Sequence, residues 1–259
     1  MIHDFNSYLF LFVIVLVYMS LWYLIALARK RNDVADTAWG LGFLMLALAS
    51  LYFSGNFSSR KILVLSLVTI WSLRLSTHIY LRNRGKAEDY RYNQWRQEWG
   101  KWFYLRTYLQ VFLLQGVLLF IISVPVILVN NFSSSSLNIL DALGVLVWLI
   151  GFYFEAVGDY QLSKFINDPN NKGKLMCSGL WQYTRHPNYF GEVAQWWGIF
   201  IIALSVNYGW ASIIGPITIT FFILKVSGVP MLEKKMENNP DFADYKKRTS
   251  VFFPLPSKY

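Results

Sequence analysis

A chain of 259 residues that is 55% hydrophobic and 18% aromatic, with a mean hydropathy of +0.34, is too apolar for an ordinary soluble protein of one or two domains. Its apolar residues come in blocks of about 20, the length that crosses a bilayer, and not in the stretches of about 10–12 that line a soluble core. The net charge of +9 needs no nucleic acid to explain it, because loop charge in a membrane protein sets orientation. A single cysteine, Cys177, excludes an internal disulfide. The histidines at 3, 78 and 186 are too scattered to suggest a zinc centre, so no metal is expected.

The expected fold is all-α, a single integral membrane domain of seven transmembrane helices at about 7–28, 35–54, 62–81, 107–129, 138–160, 189–206 and 210–228. The first block lacks a basic start and a small-residue cleavage pattern, so it reads as a retained helix. Basic residues follow the first span (Arg29, Lys30, Arg31), the third (Arg82, Arg84, Lys86, Arg91, Arg96, Lys101, Arg106), the fifth (Lys164, Lys172, Lys174, Arg185) and the seventh (Lys234, Lys235, Lys246, Lys247, Arg248, Lys258). That places 20 of the 24 Lys and Arg on one side. Positive loops stay cytoplasmic, so the N-terminus is expected outside and the C-terminus inside. The C-terminus carries no retention signal, which favours a bacterial cytoplasmic membrane over the endoplasmic reticulum. The opposite loops, Ser54–Arg60, Asn130–Ser136 and Asn207–Gly209, read as plain turns. Cytoplasmic segments 82–106, 161–188 and 229–259 are longer and richer, and function is expected at that face. Segment 82–106 suits an ordered loop closing over a site or a helix lying on the headgroups. The tail reads as a short amphipathic helix and a capping segment.

Chemistry is concentrated in Gly179-Leu-Trp-Gln-Tyr-Thr-Arg-His-Pro-Asn-Tyr-Phe-Gly-Glu192. Pro187 reads as a first-turn helix residue, and from it Asn188, Glu192 and Gln195 fall at i, i+4 and i+7 on one face. Polar groups at membrane depth are costly unless used. Asp36 opens the second span, Arg74 and His78 share a face in the third, and Glu155 and Asp159 share one in the fifth. Snorkelling or a helix-to-helix ion pair is the plainer account of the basic ones. Carboxylates snorkel poorly on short stems, so the acids point to a polar cavity open to the cytoplasm, lined by spans two, three, five and six.

Asp36-Thr-Ala-Trp-Gly40, Arg82-Asn-Arg-Gly-Lys with Glu-Asp-Tyr-Arg-Tyr92, Gly179-Leu-Trp with Arg-His-Pro-Asn-Tyr-Phe-Gly-Glu192, and the Tyr245-to-Pro254 tail resemble, in this order, the membrane proteins of the DUF1295 group. That group is similar to the steroid 5α-reductase C-terminal family. The resemblance covers nearly the whole chain for the first and mainly residues 140–259 for the second. Isoprenylcysteine carboxyl methyltransferases carry a similar Arg-His-Pro-x-Tyr motif. The resemblance implies a seven-helix bundle with NADPH in a cavity open to the cytoplasm. Asn188, Glu192, Asp159 and Tyr245 match its cofactor-contacting positions; His186 and Tyr189 in the motif and Glu233 on the last cytoplasmic helix complete the set. The substrate half departs: the region of the family's catalytic Tyr reads Trp71-Ser-Leu-Arg-Leu-Ser-Thr-His78, with no matching Tyr.

Reducing a conjugated C=C requires that the nicotinamide be held, the carbonyl oxygen be given an acid and water be excluded. Arg185, Lys164, Lys172 and Lys174 are the expected phosphate ligands, helped by the start of the sixth helix, and Asn188 and Glu192 the expected grip on the carboxamide. The acid is expected to be Tyr92 or Asp36. The aromatic content suits a flat or long lipophilic substrate entering from the bilayer. Oligomeric state is not legible. Two other classes fit the same stripe: an S-adenosylmethionine-dependent methyltransferase acting on a lipid-like acceptor, against which the single Glu233 of the last helix counts, and a non-enzymatic lipid or sterol binder.

Overall fold

The computed structural model describes residues 5–133 and 136–258; His3 and part of the serine run at 133–136 lie outside them. Among the described residues every named element is helical, and the extended backbone contributes a parallel bridge between Thr184 and Ser250. Helix is the expected outcome, since backbone groups in hydrocarbon must be satisfied within their own segment. The chain divides into two compact units, Met1–Asn138 with Ala203–Gly215, and Ile139–Ile202 with Pro216–Tyr259.

The first unit opens with α1 (Phe5–Arg29), α2 (Val34–Ser54) and α3 (Ser59–Asn83). Gly55, at φ +69°, ends α2 in the left-handed cap that glycine adopts without penalty. Ser58 starts α3 by accepting from Lys61 N–H. Gly40 lets α2 and α3 close together: a Cβ there would lie 2.4 Å from Ser76 Oγ and 3.1 Å from Ser72 O. Phe43 packs edge-on against Trp71 at 5.2 Å in that seam. The short helices α4 (Tyr90–Trp99) and α5 (Phe103–Thr107) lead through a π-helical stretch, Tyr108–Leu113, to α6 (Leu114–Ile122) and α7 (Val124–Phe132). The span expected at 107–129 is therefore broken at Ser123, where Pro125, in the first turn of α7, lacks the N–H that would continue α6. Asn130 ties α7 to α2 by donating to Ser50 Oγ at 2.7 Å and Ala47 O at 3.2 Å. The Ser54–Arg60 turn is less plain than expected. Arg60 and Lys61 are both buried, with the Lys61 ammonium donating to Ser54 Oγ (3.0 Å) and Asn56 O (3.4 Å) and Arg60 to Ser136 O (2.8 Å).

The second unit is built on α8 (Ile139–Asn167) and α9 (Pro187–Ala203), with α10 (Ile214–Phe221), a π-helical turn at Phe222–Val226, α11 (Val229–Met236) and α12 (Phe242–Arg248) completing the chain. Among the described residues six helical segments are long and apolar enough to cross a membrane: Asn6–Arg29, Val34–Ser54, Ser59–Asn83, Arg91–Ile122, Ile139–Asn167 and Gly209–Met236. This is the pattern of an integral, multi-pass membrane protein. The seventh expected span, 189–206, forms as the 17-residue α9. At 1.5 Å per residue its rise is about 26 Å, short of the ~30 Å hydrocarbon core.

Candidate active site

Glycines on α8 and α9 set how closely the polar stripe of one helix meets the other. Gly144, Gly151 and Gly158 recur every seven residues on α8, as do Gly191 and Gly198 on α9. A Cβ on Gly151 would sit 2.6 Å from Gly191 O, one on Gly191 2.4 Å from both Gly151 O and Glu155 N, and one on Gly198 2.6 Å from Gly144 O. Backbones this close leave room only for hydrogen on the shared face, so the adjacent polar side chains reach each other directly. Gln195 donates to the buried Glu155 carboxylate and to Gly191 O at 3.2 Å. Asn188 donates to Asp159 Oδ1 at 3.1 Å. The outer oxygens of those amides, Asn188 Oδ1 and Gln195 Oε1, are buried with no hydrogen-bond partner, as is His186 Nδ1. Buried polar atoms are normally satisfied, so these orphans, His186 and Asn188 at the head of α9 and Gln195 two turns further in, are the candidates for meeting a ligand's polar groups.

Arg185 and His186 are anchored rather than exposed. Arg185 is 8% exposed, and its Nε donates to Glu233 Oε1 at 2.7 Å while Nη1 donates to Thr249 O at 2.6 Å and Lys246 O at 3.3 Å. The same Glu233 oxygen lies 3.3 Å from His186 Nε2. The imidazole is fully buried and stacks on Tyr189 at 5.6 Å. Thr184 donates to Phe252 O at 2.8 Å, and the backbone pairs Arg185 N–H with Ser250 O (2.9 Å) and Leu255 N–H with Tyr183 O (3.0 Å). The residues before α9 thus hold the tail as a strap. Tyr245, buried on α12, seals it from the other side by donating to Trp181 O at 2.6 Å. Burial pushes the Tyr245 phenol above its ordinary value of 10.0. A neutral phenol is what the bond needs, so its contribution is fully present below pH 10 and declines as pH rises through the unfolded value toward the folded one. The tail is expected to stay equally protease-resistant from about pH 6 to 9 and to loosen above about 10; Tyr245→Phe should weaken it by about 1 kcal/mol and remove that alkaline loss.

The other expected cofactor residues are placed as follows. Glu192 is half-buried on α9, and Lys164, Lys172 and Lys174 are exposed. Gln161, one turn before Lys164, accepts from Leu180 N–H at 2.9 Å, and Trp181 Nε1 donates to Gly158 O at 3.2 Å, fastening the 179–182 turn to α8. Gln161 did not stand out in the sequence, whereas Trp181 belongs to the Gly179-Leu-Trp motif. The heptad spacing of the glycines is the signal that would have exposed the seam.

In the first unit the two expected catalytic residues flank one cation. Arg91 forms a two-pronged pair with Asp89 (2.9 and 3.2 Å) and lies 3.9 Å from Asp36. Tyr92, next in the chain, is buried with its ring edge-on to Trp95 at 5.3 Å. Segment 82–106 is an ordered structure. Glu88 accepts from Asn32 N (2.6 Å), Asn32 Nδ2 (3.1 Å) and Arg96 Nη2 (3.2 Å), while Arg31 grips Asp33 (3.0 and 2.7 Å) and Lys86 O (2.9 Å). The turn between α1 and α2 is thereby latched to the turn between α3 and α4, which holds Asp36 at the base of α2 beside Arg91.

A family model described as protein of unknown function (DUF1295) matches residues 22–249. A 69-residue stretch is 36% identical to 3-oxo-5-alpha-steroid 4-dehydrogenase 1 of Bos taurus, covering 26% of this chain and 26% of that protein. The chain therefore spans about a quarter of the curated relative it matches. No solved structure matches. The family match runs from the end of α1 through α12, over all the elements that carry the two polar clusters, and the chain belongs to the DUF1295 family, with its likeness to the steroid 5α-reductases.

Proposed function

We propose that the protein is a membrane reductase that uses NADPH to reduce a C=C conjugated to a carbonyl in a steroid-like or other lipophilic substrate. One observation carries the reading: His186 Nδ1 and Asn188 Oδ1 at the head of α9, and Gln195 Oε1 two turns further in, are buried without partners. A primary carboxamide donates through two N–H groups, so an unpartnered amide oxygen such as Asn188 Oδ1 fits the end of a nicotinamide. When bound, NADPH supplies the hydride. The protein's part is orientation. Glu155 and Asp159 hold Gln195 and Asn188 by their amino groups and so turn both amide oxygens away from α8, and Glu233 fixes the ring of His186 from its other nitrogen. Arg185 is engaged with Glu233 and the strap, which leaves the exposed Lys164, Lys172 and Lys174 as the phosphate ligands. The proton for the carbonyl oxygen is assigned to Tyr92 or Asp36. The bovine relative, named for a 3-oxo-5α-steroid, supports the substrate class.

NADPH titration of the detergent-purified protein is the test. Asn188→Ala and Glu192→Gln should each weaken affinity by about tenfold, roughly the ~1.5 kcal/mol of a hydrogen bond in a dry site. Tyr92→Phe should bind normally and lose turnover if Tyr92 is the acid. Unchanged affinity in both cofactor variants, or S-adenosylmethionine or lipid alone recovered with the protein, would overturn the assignment.

We further propose seven crossings, counting the short α9, with the N-terminus outside and the C-terminus inside a bacterial cytoplasmic membrane. Cys177, half-buried, reports on this. An impermeant maleimide should reach it only in inside-out vesicles. The labelling should also be slower at neutral pH than that of a free thiol, because burial pushes the Cys177 thiol up.

A further inference from the structure

Apart from the polar clusters, the second unit carries a groove of about 250 Å³ between α9 and the α10 segment, lined by Trp197, Ile217, Thr220, Phe221, Leu224 and Lys225. The last five fall at i, i+3, i+4, i+7 and i+8, a single helical face, and Trp197 forms the opposite wall. The polar atoms of the walls are already paired. Trp197 Nε1 donates to Thr220 Oγ1 at 3.2 Å, and Thr220 donates in turn to Pro216 O. What remains is a hydrocarbon trough with a cation at one end.

Lys225 is exposed and, among the described residues, ion-pairs with no carboxylate. It stands in the π-helical turn Phe222–Val226, which Ser227 N–H closes onto Phe222 O at 2.9 Å. Such one-turn widenings are retained mostly where they serve a site. Gly228 follows, where a Cβ would lie 2.6 Å from Ile223 O, and Lys234 and Lys235 on α11 add two more exposed cations. An ammonium within a spanning segment is costly unless it meets an anion, and the groove that ends at this one is lined mostly by apolar side chains. The complement of such a site is one molecule with a hydrocarbon tail and an anionic head.

We infer that this groove binds an anionic phospholipid, one acyl chain lying between Trp197 and Leu224 and the phosphate on Lys225. The site is independent of the reductase reading, since none of its residues belongs to the cofactor set.

The test uses the full chain in phosphatidylcholine nanodiscs doped with phosphatidylglycerol carrying a photoactivatable acyl chain, with crosslinks mapped by peptide mass spectrometry. Phosphatidylglycerol should label 197 and 217–224 about fivefold more than the matched phosphatidylcholine probe, the preference one lysine confers near an anionic headgroup. The α8 face at Leu146, Leu149 and Tyr153, comparably exposed but without a cation, should show a ratio near one. Lys225→Gln should abolish the preference without lowering NADPH affinity. Ile217→Trp, which fills the trough, should lower groove labelling by both probes. Equal labelling by the two probes at the groove, or a preference that survives Lys225→Gln, overturns the inference.

Discussion

Gly191→Ala is expected to be among the most damaging single-methyl changes in the chain. The new Cβ would stand 2.4 Å from Glu155 N and Gly151 O and 2.7 Å from Glu155 Cβ. Two of these are backbone atoms of α8, which no rotamer change can move aside. The helices must separate, and overpacking of this kind costs about 1–3 kcal/mol, sometimes more. In thermal unfolding of the detergent-solubilised protein that is a loss on the order of 5–10 °C. Separation would also lengthen Asn188–Asp159 and Gln195–Glu155, so NADPH affinity should fall with it, by about tenfold. Gly116→Ala in the first unit is the internal comparison. Its Cβ would meet Met19 Cγ at 3.2 Å, the middle of a flexible side chain, and alanine's better helix propensity offsets the contact, so near-parental stability is expected. If Gly191→Ala melts within a degree or two of the parent and binds NADPH normally, the glycine seam does not position the site.

Arg185→Ala should release the C-terminal strap. One guanidinium holds Glu233 Oε1, Lys246 O and Thr249 O, and its loss leaves Glu233, 14% exposed, facing His186 and the exposed Lys246 alone. Removing one member of a buried ion pair typically costs about 3–5 kcal/mol. The readout is limited proteolysis: sites in 249–258 should become accessible, with a drop in melting temperature beyond that of Tyr245→Phe. Arg185→Lys should fall between, because an ammonium cannot send separate donors to a carboxylate and two carbonyls in a fixed plane. In the double variant with Glu233→Gln the losses should be less than additive, since the second change removes a carboxylate already stranded by the first. A strap that stays protected in Arg185→Ala would show that the backbone pairing at Thr184–Ser250 holds it unaided.

Much of this molecule is visible in its residues. Twenty-residue apolar blocks can satisfy their backbones in lipid only as helices, so α1, α2 and α3 lie within about three residues of their expected bounds, while α8 starts where expected and runs two turns further, to Asn167. Pro187 marked the start of α9 correctly, because a first-turn proline forgoes nothing. The break at Ser123 was not readable, since Pro125 is as compatible with a kinked continuous helix as with two helices, and neighbouring packing decides. Arg185 shows the same limit from the charge side. A motif of Arg-His-Pro ahead of a helix reads as a phosphate mouth until Glu233, 48 residues on, is brought beside it.

Composition and local pattern thus determined that the chain is helical, membrane-embedded and polar along one stripe of α9, since each of these follows from hydropathy, spacing or backbone satisfaction within a short window. Tertiary structure alone decided which polar groups are satisfied and which are buried without a partner. Glu155 and Gln195, Asp159 and Asn188, and Arg185 and Glu233 are 40, 29 and 48 residues apart, and only the approach of α8 to α9 through hydrogen-sized glycine faces, and the return of the tail onto Arg185, bring them within hydrogen-bond reach.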